Sequence, residues 1–551
     1  MTALPARLRR SLVALAVIVI GLGGFVTPAA PAEAAKFVPI SGTGSTWSEN
    51  ALQQWRRNVA GLYGMQINYS GTGSSRGRLD FIAQTVDFAV SEIPFQAQPE
   101  DGSAPEKPAA GYAYMPIVAG GTSFMYNLKI NGKRVTNLRL SGETITKIFT
   151  GKITKWTDKQ VQKDNPGLKM PDKAIVPVVR SDGSGSTAQF TLWMSKEHGS
   201  LWNDFCKSVG RGSPCGLTSQ YPGFGSAKLQ NGSSGVAGYV SQDYGEGAIT
   251  YVEYSYALKA KFPVAKVLNA AGYYVEPTQY SVAVALLQAK INENPKSPDY
   301  LTQILDGVYD NKDPRSYPLS SYSYLIVPTE VSSSGSFSKA KGATLGAFGN
   351  YLLCEGQQQA GALGYSPLPM NLVTAGFTQI ERIPGAENVK PKLEKCNNPT
   401  FKAGDSPKKN QLAQTAPMPA DCDKVGTQQC TTGTAGAANT KTDTTGSGTG
   451  GEATGGSGGS GGTGESGGAG TSSGGDDALP AGEGDGATGL DGSGEYVDAA
   501  GAGAAATASP FTLPASGWGG SQLLILTAGA LLLAAMVVPP LVGSRTRKAE
   551  K

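Results

Sequence analysis

"AIVPVVRSDGSGSTAQFTLW", residues 174–193, sets out a strand, a glycine turn and a helix in one continuous stretch. The apolar, β-branched run 175–179 reads as a buried strand. Gly183-Ser184-Gly185-Ser186-Thr187 interrupts it, and Phe190 and Trp193 follow at helical spacing. The same order occurs twice nearer the start of the chain. "AKFVPI" leads into Gly42-Thr43-Gly44-Ser45-Thr46 and then into Ala51, Trp55 and Val59, spaced i, i+4, i+8. "MQINYS" leads into Gly71-Thr72-Gly73-Ser74-Ser75 and then into Leu79, Ile82 and Val86. Repetition of this order predicts an α/β layout with ligands at the carboxyl ends of the strands.

At a helix start the first backbone N–H groups lack intrahelical partners, and the positive end of the helix dipole faces outward. Serine and threonine hydroxyls both cap and donate there. One such junction is an ordinary helix cap. Three, with Arg180 three residues before Gly183, predict a nest of donors around one oxyanion. None of the three ends in Gly-Lys-Ser/Thr and none spells G-x-G-x-x-G, which argues against a nucleotide and for a bare tetrahedral anion.

Six segments, "SGTGSTW", "INYSGTGSSRGRLDFIAQTVDFAVSEIPF", "SGETITKIFTGKITKW", "VVRSDGSGSTAQFTLWMS", "GAITYVEYSYA" and "YPLSSYSYLIVP", occur in the order of a known family. Across residues 37–385 the chain resembles the phosphate-binding proteins of ABC-type importers. The resemblance implies a type II periplasmic-binding-protein fold, with two α/β lobes joined by crossover strands and a ligand cleft between them. It implies that Thr46 and Trp47 bind phosphate from the first helix start and Ser74 from the second. Arg180 falls on the family's anion-binding arginine, Asp182 on the acid that pairs with it, and Ser184, Gly185 and Ser186 on the third start. Trp47 replaces the family's Phe and Ser186 its Thr, and both are expected to act through a backbone N–H or a hydroxyl. Glu92, in "DFAVSEIPF", replaces the Asp that accepts a hydrogen bond from the protonated phosphate oxygen. An acceptor fixed there rewards a protonated anion and leaves sulfate facing an unshared negative group.

The function implied is extracytoplasmic phosphate binding and delivery to a membrane permease–ATPase complex, with no cofactor and no metal. A surface phosphate sensor or buffer, or a wall-displayed binding or adhesion protein, is the alternative. A phosphatase would need an activating base or a metal cluster, and the single histidine, His198, lies on a polar stretch. The 47 Lys and Arg against 43 Asp and Glu leave only +4, without the clustering that a nucleic-acid partner needs. Lys133, Arg134 and Arg139 read as solvated surface.

The ends of the chain are organised differently. Arg7, Arg9 and Arg10 precede an apolar run, 12–26, and the small residues around Ala32-Glu33-Ala34, so residues 1–35 read as a secretory signal peptide. Export permits disulfides. Cys206 with Cys215 and Cys422 with Cys430 are close enough to close small loops, leaving Cys354 with Cys396, though six cysteines allow about fifteen pairings. Residues 36–400 are expected to form the binding domain and 401–510 a disordered Gly/Ser/Thr-rich linker, most biased over 431–508. Residues 511–551 read as an anchor, with a transmembrane helix at 523–542 and a basic tail of Arg545, Arg547 and Lys548. Leu513-Pro514-Ala515-Ser516-Gly517 resembles the LPxTG signal of sortase substrates with Ser for Thr, and a plain membrane anchor is the other reading. Either way, the protein is expected at the cell surface, held by its C-terminus.

Overall fold

The computed structural model describes residues 37–442 apart from 100, 101, 295, 298, 299, 301, 334, 407 and 408. The leader, the bulk of the Gly-rich segment, the LPASG motif and the 523–542 run therefore lie outside the described residues. Among the described residues no helix is long and apolar enough to cross a membrane.

The two N-terminal glycine junctions begin inside strands. β1 (Ile40–Gly44) lies between β2 (Ile67–Gly71) and β3 (Phe88–Ser91), parallel to both. Helix α1 (Glu49–Tyr63) buries Ala51, Leu52, Trp55 and Val59 along one stripe and ends at Gly64 in the left-handed region. Helix α2 (Ser74–Ile82) differs from the expected pattern. It buries Gly77, Arg78 and Phe81, while Leu79 is 48% exposed and Val86 lies beyond the helix. The start at Ser74 fixes the rotation of α2 against β1 and β3, and i, i+3, i+4, i+7 counted from Ser74 selects Gly77, Arg78 and Phe81.

β4 (Tyr112–Tyr126) carries the chain from one lobe to the other. Its first part pairs antiparallel with β11 (Ser320–Pro328), and its last part pairs with β8 (Ala248–Glu253) and β9 (Val264–Leu268). Between them in the sequence come β5 (Arg139–Leu140), α3 (Gly142–Phe149), β6 (Val176–Arg180), α4 (Gly185–Glu197), β7 (Lys228–Gln230) and α5 (Gly232–Ser241). After β8 follow α6 (Tyr254–Lys259), β10 (Tyr274–Val275) and α7 (Gln279–Leu286). One eleven-stranded sheet results, in the order β2-β1-β3-β11-β4-β8-β6-β7, with β9 attached to β4 and carrying β5 and β10. All of β11 is buried, as is β4 after Tyr112, so the strands joining the lobes run through the core. Helices α8 (Lys339–Leu353) and α9 (Met370–Ile380) pack on the first lobe.

Described residues beyond 401, where a linker is expected, pack against the domain. Residues 396–442, apart from 407 and 408, form a strap that runs from the first lobe to the second. The Cys354–Cys396 disulfide ties its start to the end of α8, and Asn398 and Thr400 donate to the carbonyls of Leu353 and Leu368. Helix α10 (Gln411–Thr415) brings Ala413, with Ala416 just after it, against Ala283 and Val284 of α7. Beyond it the Cys422–Cys430 disulfide closes a loop on the second lobe, where Lys266 pairs with Asp423 at 2.8 Å. The Thr434 hydroxyl bonds both the N–H and the carbonyl of Val264, and Thr442 bonds Thr136. Polar side chains satisfying backbone groups hold this strap, so its composition carries little apolar signal. The third disulfide, Cys206–Cys215, closes a loop after the helix Gly199–Ser208.

Arg139, expected at the surface, is 1% exposed beneath the strap. Its guanidinium donates to Cys422 O at 2.9 Å and Thr427 O at 2.8 Å, and also to Asp164 O. Burial lowers its pKa, and the nearby Tyr274, Asp423 and Asp164 oppose that shift. Arg134, by contrast, is exposed and stacks on Phe262 at 4.1 Å. Arg139→Ala is expected to cost roughly 3 kcal/mol in urea unfolding, because three carbonyls lose a charged donor. Arg134→Ala is expected to cost about 1 kcal/mol or less.

Candidate functional site

The site forms where β1, β3 and β6 end. Glu92, one residue beyond β3, is 1% exposed, and its carboxylate is surrounded by serine hydroxyls. Oε1 accepts from Ser45 and, at 2.6 Å, from Ser323 of β11, while Oε2 accepts from Ser74 at 2.7 Å. Gln189 of α4 and Gln303 hold the Glu92 carbonyl at 2.8 and 3.0 Å. A Cβ on Gly185 would lie 1.8 Å from Glu92 Oε2, so only glycine at the start of α4 leaves room for this carboxylate.

A second cluster lies at the end of β6. Arg180 pairs with Asp182 through Nε, at 2.7 Å, and through Nη2, and Nη1 reaches Ser233 Oγ at 3.3 Å. That accounts for three of about five guanidinium N–H groups and leaves two without a partner among the described residues. The Gly232 N–H donates to Asp182 Oδ1 at 2.9 Å. Burial acts to raise the Asp182 pKa, but hydrogen bonds from Arg180 and Gly232 outweigh it and hold the carboxyl below its ordinary value.

The lobes meet across these clusters. Ser75 N donates to Gly183 O at 3.1 Å, Gly185 N to Ser74 Oγ at 3.2 Å, and Ser233 N to Thr46 Oγ1 at 3.1 Å. Gly73, at φ +89°, comes so close to the second lobe that a Cβ there would be 2.6 Å from Asp182 Oδ2.

The residues proposed from the sequence thus fall into two connected groups. Glu92, Ser74 and Gly185 adjoin one another, and Thr46 joins Arg180 and Asp182 through Ser233 and Gly232. Some donors are already engaged. Trp47 N donates to Ser45 Oγ at 3.0 Å, and Ser184 N donates to Ser219 O while its hydroxyl caps Thr187 N at 3.2 Å. Ser186 Oγ is buried and has no partner among the described residues, so its hydroxyl is open to a ligand. His198 follows the other end of the 13-residue helix α4, about 20 Å from that start.

Ser45 belongs to the first glycine junction but has no site role implied by the sequence, and Ser233 and Ser323 lie outside all three junctions. Ser233 had a readable signal, because Asn231-Gly232-Ser233-Ser234-Gly235 is a fourth glycine–serine junction between a strand and a helix. Ser323 had none, being one serine of "YPLSSYSYLIVP" some 231 residues from its partner.

A family model described as the PBP superfamily domain matches residues 27–355. A phosphate-binding protein PstS of Xylella fastidiosa is 33% identical over 342 residues, covering 62% of this chain and 85% of that protein. The chain belongs to the phosphate-binding protein family. A phosphate-binding protein PstS of Methanocaldococcus jannaschii is 30% identical over 354 residues, covering 62% of this chain and 86% of that one. A solved phosphate-binding protein from Stenotrophomonas maltophilia aligns at 15% identity and a TM-score of 0.46, covering 64% of this chain and 98% of that one. Among the described residues of this family member, no group of His, Cys, Asp or Glu could hold a metal ion.

The depressed Asp182 pKa fixes the sign of a stability effect. Its contribution is present above the unfolded value, about 3.9, and is lost as pH falls through the lower folded value. Asp182→Asn, which leaves a buried arginine without its carboxylate, is expected to cost roughly 2–4 kcal/mol at pH 6. Urea unfolding midpoints of the two proteins are expected to converge as pH falls below about 4.

Proposed function

We propose that this protein binds inorganic phosphate outside the cytoplasm and delivers it to an ABC importer. The observation that supports this reading is the buried pairing of Arg180 with Asp182 at the end of β6, together with the buried Glu92 carboxylate just after β3, which Ser74 links to the start of α4. Arg180 supplies the full positive charge, softened by Asp182, and its two remaining N–H groups suit a tetrahedral oxyanion. The Ser186 hydroxyl, which has no partner among the described residues, supplies a neutral donor at the start of α4. Glu92 supplies an acceptor, which a phosphate bearing a proton satisfies and sulfate does not. The relatives are named phosphate-binding proteins, and this chain is a binding protein rather than an enzyme.

Three disulfides in the described residues favour an oxidising compartment. Attachment at the surface rests on the sequence: a Gly-rich tether beyond 442, then the apolar run 523–542 and its basic tail. Membrane anchoring through that run is the proposed arrangement, with sortase processing at the LPASG stretch the variant of it that its resemblance suggests.

Titration calorimetry on the full chain tests the ligand. Phosphate is expected to bind with measurable heat and sulfate at least 100-fold more weakly; absence of phosphate heat, or equal affinities, would contradict the assignment. Arg180→Ala is expected to weaken phosphate binding by 100-fold or more, about 3 kcal/mol, since the anion then faces Asp182 alone. Arg180→Lys, which keeps the charge but loses the planar fork, is expected to retain part of the affinity.

A further inference from the structure

The hydrogen bonds around Glu92 have a fixed direction. Backbone N–H groups can only donate, and two of them point at Ser45 Oγ, from Trp47 at 3.0 Å and Ser48 at 3.4 Å. Gly185 N points in the same way at Ser74 Oγ, at 3.2 Å. A hydroxyl that accepts from N–H groups has its own hydrogen left to give, and here it goes to the carboxylate. Two chains of the same polarity, each beginning at a helix start, therefore end on one side chain. Ser323 adds a third donor from the strand that joins the lobes.

Counting acceptor capacity shows what remains. A carboxylate offers about four lone-pair directions. Ser45 and Ser323 take those of Oε1, and Ser74 takes one on Oε2. The direction left over belongs to Oε2, the oxygen against Gly185 at the start of α4. Local strand geometry sets Ser323 in place: Tyr324 sits opposite Ser91, next to Glu92, and the β4–β11 register shifts between Ser323 and Tyr324. Irregularities of this kind re-aim side chains beside functional sites.

We propose that Ser45 and Ser323 are specificity-determining residues, which hold Glu92 as a pure acceptor with one direction open so that a bound oxyanion must bring its own hydrogen. Neither serine needs to touch the anion; both act through Glu92, as positioning residues. This rests on the phosphate reading above. Without Ser323, Oε1 regains an open lone pair and the carboxylate can turn, so the rule that Oε2 imposes on the ligand weakens. The longer glutamate suits this arrangement, because its carboxylate reaches Ser323, Ser45 and Ser74 while Gly185 leaves the space beside it.

Calorimetric affinities of the full chain for phosphate, arsenate and sulfate test the proposal, in wild type, Ser45→Ala, Ser323→Ala and Ser323→Thr. Both alanine variants are expected to lower the phosphate-to-sulfate affinity ratio about tenfold or more, the scale of one hydrogen bond to a charged group. Arsenate, which also carries a proton, is expected to follow phosphate. Ser323→Thr keeps the hydroxyl on a strand that suits β-branched residues, and is expected to retain the wild-type ratio. A purely structural role would weaken all three anions together. An unchanged ratio in both alanine variants, with phosphate still bound by wild type, overturns the role of the serines and leaves the phosphate reading standing. No phosphate binding by wild type overturns both.

Discussion

A buried carboxylate has to be given donors, and Glu92 draws them from three segments that are far apart in the chain. Ser45 comes from the end of β1, Ser74 from the start of α2 and Ser323 from β11. Its carbonyl is held by Gln189 and Gln303. Leaving such a charge without its partners costs several kcal/mol, so these segments are bound to one arrangement. The start of α4 adapts to that group, since only glycine at position 185 leaves room for the carboxylate.

The second constraint is the buried passage between lobes. β4 and β11 lie side by side through the core, and β4 then pairs with β8 and β9. A strand shared in this way gives each lobe its own packed helices while keeping the ends of β1, β3 and β6 close. The strap from 396 to 442 adds a further connection, pinned by Cys354–Cys396 at one end and by Thr434 and Thr442 at the other. Arg139 is the centre of its attachment, and the cost of burying a guanidinium is met by three carbonyls.

The α/β character was legible because it is written locally. Ile67 and Tyr69 alternate with exposed neighbours on β2, and Ala51, Trp55 and Val59 mark a stripe on α1 that packs as its spacing suggests. The stripe on α2 departs from the one its spacing predicts, since nine residues with a low apolar content leave the choice of face to contacts with β1 and β3. The three glycine junctions are visible in the sequence, and resemblance draws Arg180 and Glu92 out of it, both of which the fold buries. A fourth junction at Gly232 carries a weak signal in the sequence because β7, which precedes it, is three residues long and mostly exposed. The strap is not legible in the sequence because composition reports apolar burial and not backbone groups satisfied by Asn, Thr and Arg.

By itself, then, the sequence determined which segments become strands and helices, where helices start, and that hydroxyls and N–H groups gather at those starts. These are short-range properties, set by side-chain period, glycine and capping chemistry within a few residues. Only the tertiary structure decided which donors are spent and which stay open. Ser45 and Ser74 give their hydrogens to Glu92, Trp47 N–H is taken by Ser45, and Ser186 keeps its hydroxyl free of any described partner. Ser323 finds Glu92 across 231 residues, through the pairing of β11 with β3 and β4. A hydroxyl has one hydrogen to give, and its recipient is fixed by what folding brings within about 3 Å rather than by its neighbours in the chain.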